Sequence, residues 1–244
     1  ADSSRLHEVN FDHLPFGRIF SDHMLVADFT DGKWTNWQIC PYGNIEVAPC
    51  ITALHYGQAI FEGMKAYVDA EGTPLLFRPE KNIRRMNLSA HRMAMPEIPE
   101  DMFMAGLKQL IAIDREWIPA GDKGTLYIRP FMFATDEYVG IKPADNFKFI
   151  IFTSPVGPYY PEPVKVLVAD KYVRAFPGGV GAAKAAGNYG ATLLPVIEAK
   201  KQGYDQILWM DGREFKYVQE IGTMNVFFVI NGVTITAPLD GGTI

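Results

Sequence analysis

With 244 residues, 48% of them apolar, the chain is long enough for one large domain or two smaller ones and apolar enough for a sizeable core. A net charge of −5 with no basic block excludes the electrostatic footprint of a nucleic-acid or anionic-membrane binder, which leaves small molecules as the expected partners. Cys40 and Cys50 form no CxxC and imply neither a disulfide framework nor a metal site, which suits a cytoplasmic protein; no apolar run reaches the length of a membrane span, and ADSSRLHEVNFD lacks a signal-peptide pattern.

From Phe11 to Cys50 short apolar runs (MLVADF, WQICPY, IEVAP) alternate with turn signals at Asp31-Gly32 and Tyr42-Gly43-Asn44, the pattern of antiparallel strands. Ala53 to Tyr67 pairs a helical spacing of Leu54, Tyr56, Ile60 and Phe61 with a strand-like exit through GMKAY. His55 has no acidic or cysteine partner at ligand spacing and reads as structural. Leu75 to Phe77 predicts a short strand. Asn82 to Met95 predicts a helix with Ile83, Met86, Ala90 and Met93 on one face, closed by Pro96. Its other face, with Arg84, Arg85, His91 and Arg92, is either simply solvated or offers an arginine to a phosphate. A second helix is expected over Asp101 to Trp117, with Leu107, Leu110 and Ile111 inward.

Gly124 to Ala134 reads as a strand that carries Arg129 within an apolar run. The arginine either faces solvent or presents its planar fork to a carboxylate, and period-two geometry sets Tyr127 on the same face. Phe147 to Thr153 reads as a buried strand. The proline- and tyrosine-rich stretch after it suggests a hinge at 159–163 between an N-terminal domain, 1–158, and a second domain that opens with a strand at Val164 to Val168.

The stretch Phe176 to Ala191, FPGGVGAAKAAGNYGA, isolates Lys184 among Gly and Ala, with Tyr189 following. Its glycines permit positive φ and close approach of another group. Small apolar neighbours would desolvate the ammonium and lower its pKa, which is how an amine that attacks carbonyls is made. A flexible linker would carry Ser or Thr, and neither a P-loop nor a GxGxxG fits the spacing around Lys184. Beyond it, Ala191 to Gln202 predicts a helix with Pro195 in its first turn or at a kink, and Gln206 to Met210 predicts a strand. Glu220, ahead of Ile221-Gly222-Thr223, is either a strand-end surface residue or a buried anion that needs a cation. Val226 to Ile230, Asn231-Gly232 and Val233 to Thr236 spell a hairpin with a type I′ turn.

The segment GGVGAAKAAGNYG at 178–190 resembles the cofactor-lysine segment of branched-chain amino-acid aminotransferases, pyridoxal 5'-phosphate enzymes of the fold-type IV class. The same resemblance extends through LHYGQAIFEGMKAY (54–67), FRPEKNIRRM (77–86), YIRP (127–130), SPVGPYYP (154–161) and EIGTMNVF (220–227), and so covers nearly the whole chain. It implies a two-domain α/β (α+β) fold, with a small N-terminal α/β domain and a larger, β-rich C-terminal one begun at 164–244. It also implies a homodimer and a chain that continues past Ile244.

Carried over position by position, the resemblance makes Lys184 the catalytic residue that bonds the cofactor as a Schiff base. Arg85 would anchor the phosphate, Tyr189 would meet the ring hydroxyl oxygen, and Glu220 would meet the ring nitrogen. Tyr56, Tyr127 and Arg129 would receive the side-chain carboxylate of glutamate, Phe16, Phe61 and Tyr159 would wall an apolar pocket, and Thr223 would lie near the α-carboxylate. The implied reaction is transamination of leucine, isoleucine or valine with 2-oxoglutarate, as in branched-chain amino-acid metabolism. Rival readings are another fold-type IV enzyme, a D-amino-acid transaminase or an aminodeoxychorismate lyase, and a non-enzymatic small-molecule binding protein.

Overall fold

The computed structural model describes residues 3–121, 123–160, 162–239 and 242–244. Pro161 of the expected hinge and Asp240-Gly241 near the end of the sequence lie outside the described residues. The chain divides into two compact units, Ala1–Tyr159 and Tyr160–Ile244.

The first unit begins with β1 (His23–Thr30) and β2 (Lys33–Pro41), joined by a two-residue turn in which Asp31 and Gly32 have φ of 54° and 74°. Paired positive φ values match the twist of the strands they connect, so the Asp-Gly signal fixes this hairpin. The run at Ile45 to Pro49, expected as a strand, forms none. A short helix α1 (Thr52–Tyr56) ends at Gly57, whose φ of 67° reverses the chain into β3 (Ala59–Phe61) and β4 (Met64–Val68). Ile60 and Phe61, grouped with that helix by spacing, therefore belong to a strand. The left-handed glycine cap outweighs the helical period.

After β5 (Pro74–Leu76), helix α2 (Pro79–Arg92) starts three residues earlier than its apolar face suggests, because Pro79 suits a first helical position. Helix α3 (Glu100–Ile113) stops before Trp117; the chain continues as a single tight turn through Arg115–Trp117. Strands β6 (Thr125–Ala134) and β7 (Phe147–Val156) are the long ones. Among the described residues, seven strands form an antiparallel sheet in the order β2-β1-β7-β6-β4-β5, with β3 also paired to β6. Ile83, Met86 and Ala90 of α2 and Phe103, Leu107 and Leu110 of α3 pack with Leu25, Leu126, Ile128 and Phe149 of the sheet in one core.

The second unit sets β8 (Val166–Val168) parallel to β9 (Gln206–Met210) and β10 (Val218–Ile221) antiparallel to β9. A short helix α4 (Ala186–Gly190), not foreseen from sequence, leads into α5 (Leu193–Lys201), with Pro195 in its first turn. Trp209, 1% exposed, is the largest buried side chain here, and its indole N–H donates to the Gly222 carbonyl at 2.9 Å. Strands β11 (Phe227–Ile230) and β12 (Val233–Thr236) form the expected hairpin, with Asn231 and Gly232 at φ of 51° and 79°. No helix among the described residues is long and apolar enough to cross a membrane.

Gly106 lies inside α3, where alanine is intrinsically better by about 1 kcal/mol. An added Cβ would sit 2.3 Å from Cδ1 of the buried Leu25 and 2.8 Å from Trp37 Nε1. Overpacking of this kind costs about 1–3 kcal/mol. Gly106→Ala should thus lower stability by about 1 kcal/mol net, read by denaturant titration, and a gain would refute the tight contact.

The carboxylate of Asp211, after β9, accepts backbone N–H groups of Arg213, Glu214, Lys216 and Tyr217 at 2.8–3.0 Å. These bonds, that of Tyr217 foremost, hold its pKa far below the usual carboxylate range. A depressed folded-state value gives stability that is present above the unfolded value of about 3.9 and is lost as pH falls below it. Acid unfolding of the second unit should therefore steepen below about pH 4 and flatten in Asp211→Asn, as followed by Trp209 fluorescence.

Candidate active site

Alternation along β6 builds the first group of side chains. Leu126, Ile128 and Met132 are fully buried in the core, so Tyr127, Arg129 and Phe131 point to the opposite face. Arg129 Nη2 donates to Tyr127 Oη at 2.8 Å. The guanidinium carbon lies 4.5 Å over the Phe61 ring and 5.3 Å from the Tyr127 ring, a doubly aromatic seat for a planar cation. Phe16 joins the same group, 5.3 Å from Tyr127 and edge-on to Tyr159 at 4.7 Å.

Phe16, Phe61, Tyr127, Arg129 and Tyr159 thus come together, whereas Tyr56 does not. It ends α1 with its ring beside His55, and among the described residues no hydrogen bond or ring contact links it to the group. His55 itself meets the Pro49 carbonyl at 2.9 Å, as expected of a structural histidine.

Arg129 is a cation short of an anion. Among the described residues no carboxylate pairs with it, and its Nε is enclosed without an acceptor. A half-buried guanidinium left in this state is costly on its own and well prepared for a carboxylate. Gly63 makes the arrangement possible, because a Cβ there would lie 2.4 Å from Tyr127 Oη.

Arg85 is held differently. Its Nε and Nη2 donate to the two oxygens of Glu62 at 2.5 and 2.9 Å, and Glu62 is 0% exposed. Glu62 also accepts from Asn82 Nδ2 at 2.9 Å and from the Gly63 backbone N–H at 3.1 Å. The sequence does not flag Glu62, although a signal is present: it falls on the buried side of the alternation Ile60, Met64, Ala66.

The second unit holds the lysine segment. Lys184 Nζ donates to Tyr189 Oη at 2.8 Å, and its neighbours Ala183 and Ala185 are each 2% exposed. Of the glycines in the run, only Gly178 has a positive φ, 85°. Gly181 serves close approach instead, since a Cβ there would lie 2.4 Å from that of Ala175. Asn188 pins the segment by donating to the carbonyls of Val180 and Ala183 at 2.8 and 2.9 Å.

Glu220, on β10, is the buried anion of the two readings, 3% exposed. Its cation is Arg174, with Nε 2.8 Å from Oε2, a partner that no periodicity in the sequence discloses. The other oxygen accepts the Ile244 backbone N–H at 2.8 Å and Asn225 Nδ2 at 3.3 Å. Arg174 reaches the Gly181 carbonyl as well, at 3.3 Å, and the Gly242 carbonyl. One buried guanidinium therefore ties the strand of Glu220 to the lysine segment. Thr223 is exposed in the turn beyond, where Gly222 has a φ of 56°.

Comparisons with known proteins agree with these motifs. The chain is 49% identical over 237 residues to a probable branched-chain-amino-acid aminotransferase of Staphylococcus aureus, an alignment of 95% of this chain and 66% of that protein. It is 47% identical over 232 residues to branched-chain-amino-acid aminotransferase 2 of Bacillus subtilis, covering 93% and 64%. The chain therefore spans just under two thirds of the length of these relatives.

Among solved structures, the Escherichia coli branched-chain amino acid aminotransferase is similar with a TM-score of 0.75 at 27% identity, over 91% of this chain and 70% of that one. A T.th. branched-chain amino acid aminotransferase with pyridoxamine 5'-phosphate is similar with a TM-score of 0.75 at 26% identity, over 93% and 70%. The match to fold-type IV aminotransferase structures accounts for the mixed α/β architecture. The family model for class IV amino-transferases matches residues 59–244, which takes in the Glu62–Arg85 clasp, the Tyr127–Arg129 pair, Lys184 and Glu220 alike, and the chain belongs to that family.

Proposed function

We propose that the full protein is a branched-chain amino-acid aminotransferase that uses pyridoxal 5'-phosphate to move an amino group between leucine, isoleucine or valine and 2-oxoglutarate. The observation that carries this reading is the pairing of Lys184 Nζ with Tyr189 Oη at 2.8 Å in a unit whose buried carboxylate, Glu220, is held by Arg174. The residues present fit the cofactor: an amine beside a phenol, a carboxylate kept out of water, and an arginine with a fixed fork. When bound, pyridoxal 5'-phosphate supplies a sink for the electron pair left at the amino acid's Cα.

Lys184 Nζ is the group that would hold the cofactor at its aldehyde carbon, with loss of water. As a free amine it would take the proton from the substrate's Cα and carry it to the far side of the substrate nitrogen. Tyr189 Oη would meet the ring hydroxyl oxygen as well as the lysine amine. Glu220 would face the ring nitrogen and keep a proton there, with Arg174 preventing the carboxylate from swinging. Arg85 would bind the phosphate through the guanidinium edge that Glu62 does not use.

Arg129 and Tyr127 would receive the side-chain carboxylate of the glutamate partner, and the rings of Phe16, Phe61 and Tyr159 would exclude water from an aliphatic side chain. Thr223 would serve the α-carboxylate, and Tyr56 is proposed for the same pocket on family likeness alone. A homodimer and a cytoplasmic location are proposed on that likeness too, and sedimentation of the full-length protein tests the first.

Lys184→Ala should abolish turnover and the mass increment that borohydride reduction leaves on the cofactor-loaded protein. Multiple turnovers near the parent rate would refute the role.

Arg129→Ala should harm the half-reaction with glutamate more than that with leucine. A lost charge-assisted hydrogen bond is worth about 1.5–3 kcal/mol, or roughly tenfold to a hundredfold in kcat/KM. Equal losses in single-turnover measurements with both amino acids would instead make Arg129 structural.

A further inference from the structure

We infer that Glu62 is a positioning residue for phosphate recognition: from the buried side of the sheet it clasps Arg85 and fixes which edge of the guanidinium meets a phosphoryl group. This inference rests on the proposed role of Arg85.

Three observations support it. First, Glu62 is fully buried on a face otherwise lined by Ile60, Met64 and Ala66, a position where an apolar side chain would satisfy the sheet without any desolvation cost. Second, the contact is bidentate. Glu62 Oε1 takes Nε at 2.5 Å and Oε2 takes Nη2 at 2.9 Å, so the plane and roll of the guanidinium are both set, which a single contact would not achieve. Third, the carboxylate is itself immobilised by Asn82 Nδ2 and by the Gly63 N–H, and Asn82 also donates to the Gly63 carbonyl at 3.2 Å. The Arg85 side chain remains 36% exposed. Holding the guanidinium in one orientation lowers the ordering cost of binding an anion.

Glu62 has two opposed effects on a phosphate. Its negative charge weakens the attraction, while its clasp orients the donor fork. A shorter carboxylate separates the two, since Glu62→Asp keeps the charge and withdraws it from bidentate reach.

The test measures the affinity of the full-length protein for pyridoxal 5'-phosphate and for pyridoxal, which lacks the phosphate, by quenching of intrinsic fluorescence. The ratio of the two affinities is the readout, because a general loosening of the fold weakens both ligands alike. Glu62→Asp should reduce this ratio by about tenfold, as expected for one misaligned charge-assisted bond. An unchanged ratio in Glu62→Asp overturns the inference.

Glu62→Gln, which keeps the volume and removes the charge, serves if the aspartate variant does not fold. It too should lower the ratio, and a rise would mean that charge, not orientation, is what Glu62 contributes. Arg85→Ala separates the role of Arg85 from that of Glu62. If it leaves the ratio unchanged, the phosphate role of Arg85 itself fails. If it lowers the ratio while neither Glu62 variant does, only the positioning role of Glu62 fails. In an Arg85→Ala background, Glu62→Asp should have no additional effect on the ratio.

Discussion

Strand β6 cannot rearrange on one face without disturbing the other. It pairs with β7 along its whole length and with β3 and β4 on its other edge, and its alternate side chains, Leu126, Ile128 and Met132, are locked in the principal core. Tyr127 and Arg129 inherit that rigidity because they are the odd members of the same alternation. A loop would have left both side chains to find each other in solution. A central strand delivers them already bonded, with a guanidinium that no carboxylate pairs among the described residues. Binding sites on strands are precise for this reason, and the cost of holding Arg129 without an anion is carried by the pairing around it.

The second unit solves a related problem by different means. Glu220 and Arg174 are both nearly excluded from water, where an isolated charge would be prohibitive and a pair is tolerable only with further hydrogen bonds. Those bonds come from backbone carbonyls of Gly181 and Gly242 to the arginine, and from Asn225 and a backbone N–H to the carboxylate. A short glycine-rich run has little side-chain packing with which to hold a shape. Here Arg174 and Asn188 substitute for it by gripping carbonyls of the run directly.

Much of this was legible in the sequence where one physical rule governed locally. Asp31-Gly32 and Asn231-Gly232 demanded hairpins, the 3.6-residue spacing in α2 and α3 named their buried faces, and period two put Tyr127 beside Arg129. The rules failed where two of them competed. Helical spacing through Ile60 and Phe61 lost to the reversal at Gly57, and the apolar run at Ile45 to Pro49 forms no strand. The cations and anions that partner across long stretches, Glu62 with Arg85 and Arg174 with Glu220, left no local trace, because such pairs are fixed by the folded chain and not by spacing along it. The functional roles of the site residues were suggested by motif likeness, and the geometry adds their supports.

Residues 62 and 63 share one peptide plane, yet their side directions are opposite. Glu62 turns inward to the arginine of α2, and Gly63 leaves an opening outward that the Tyr127 hydroxyl occupies. The chain therefore has no slack with which to retune one of these contacts alone. A redesign that widened the outward side by shifting this peptide would also drag the inward carboxylate off its guanidinium, and one that filled the opening with any larger residue would unseat the tyrosine. The rings around the opening, Phe16 and Tyr159, are 40% and 50% exposed and meet edge-on, so they lie outside this shared constraint of residues 62 and 63.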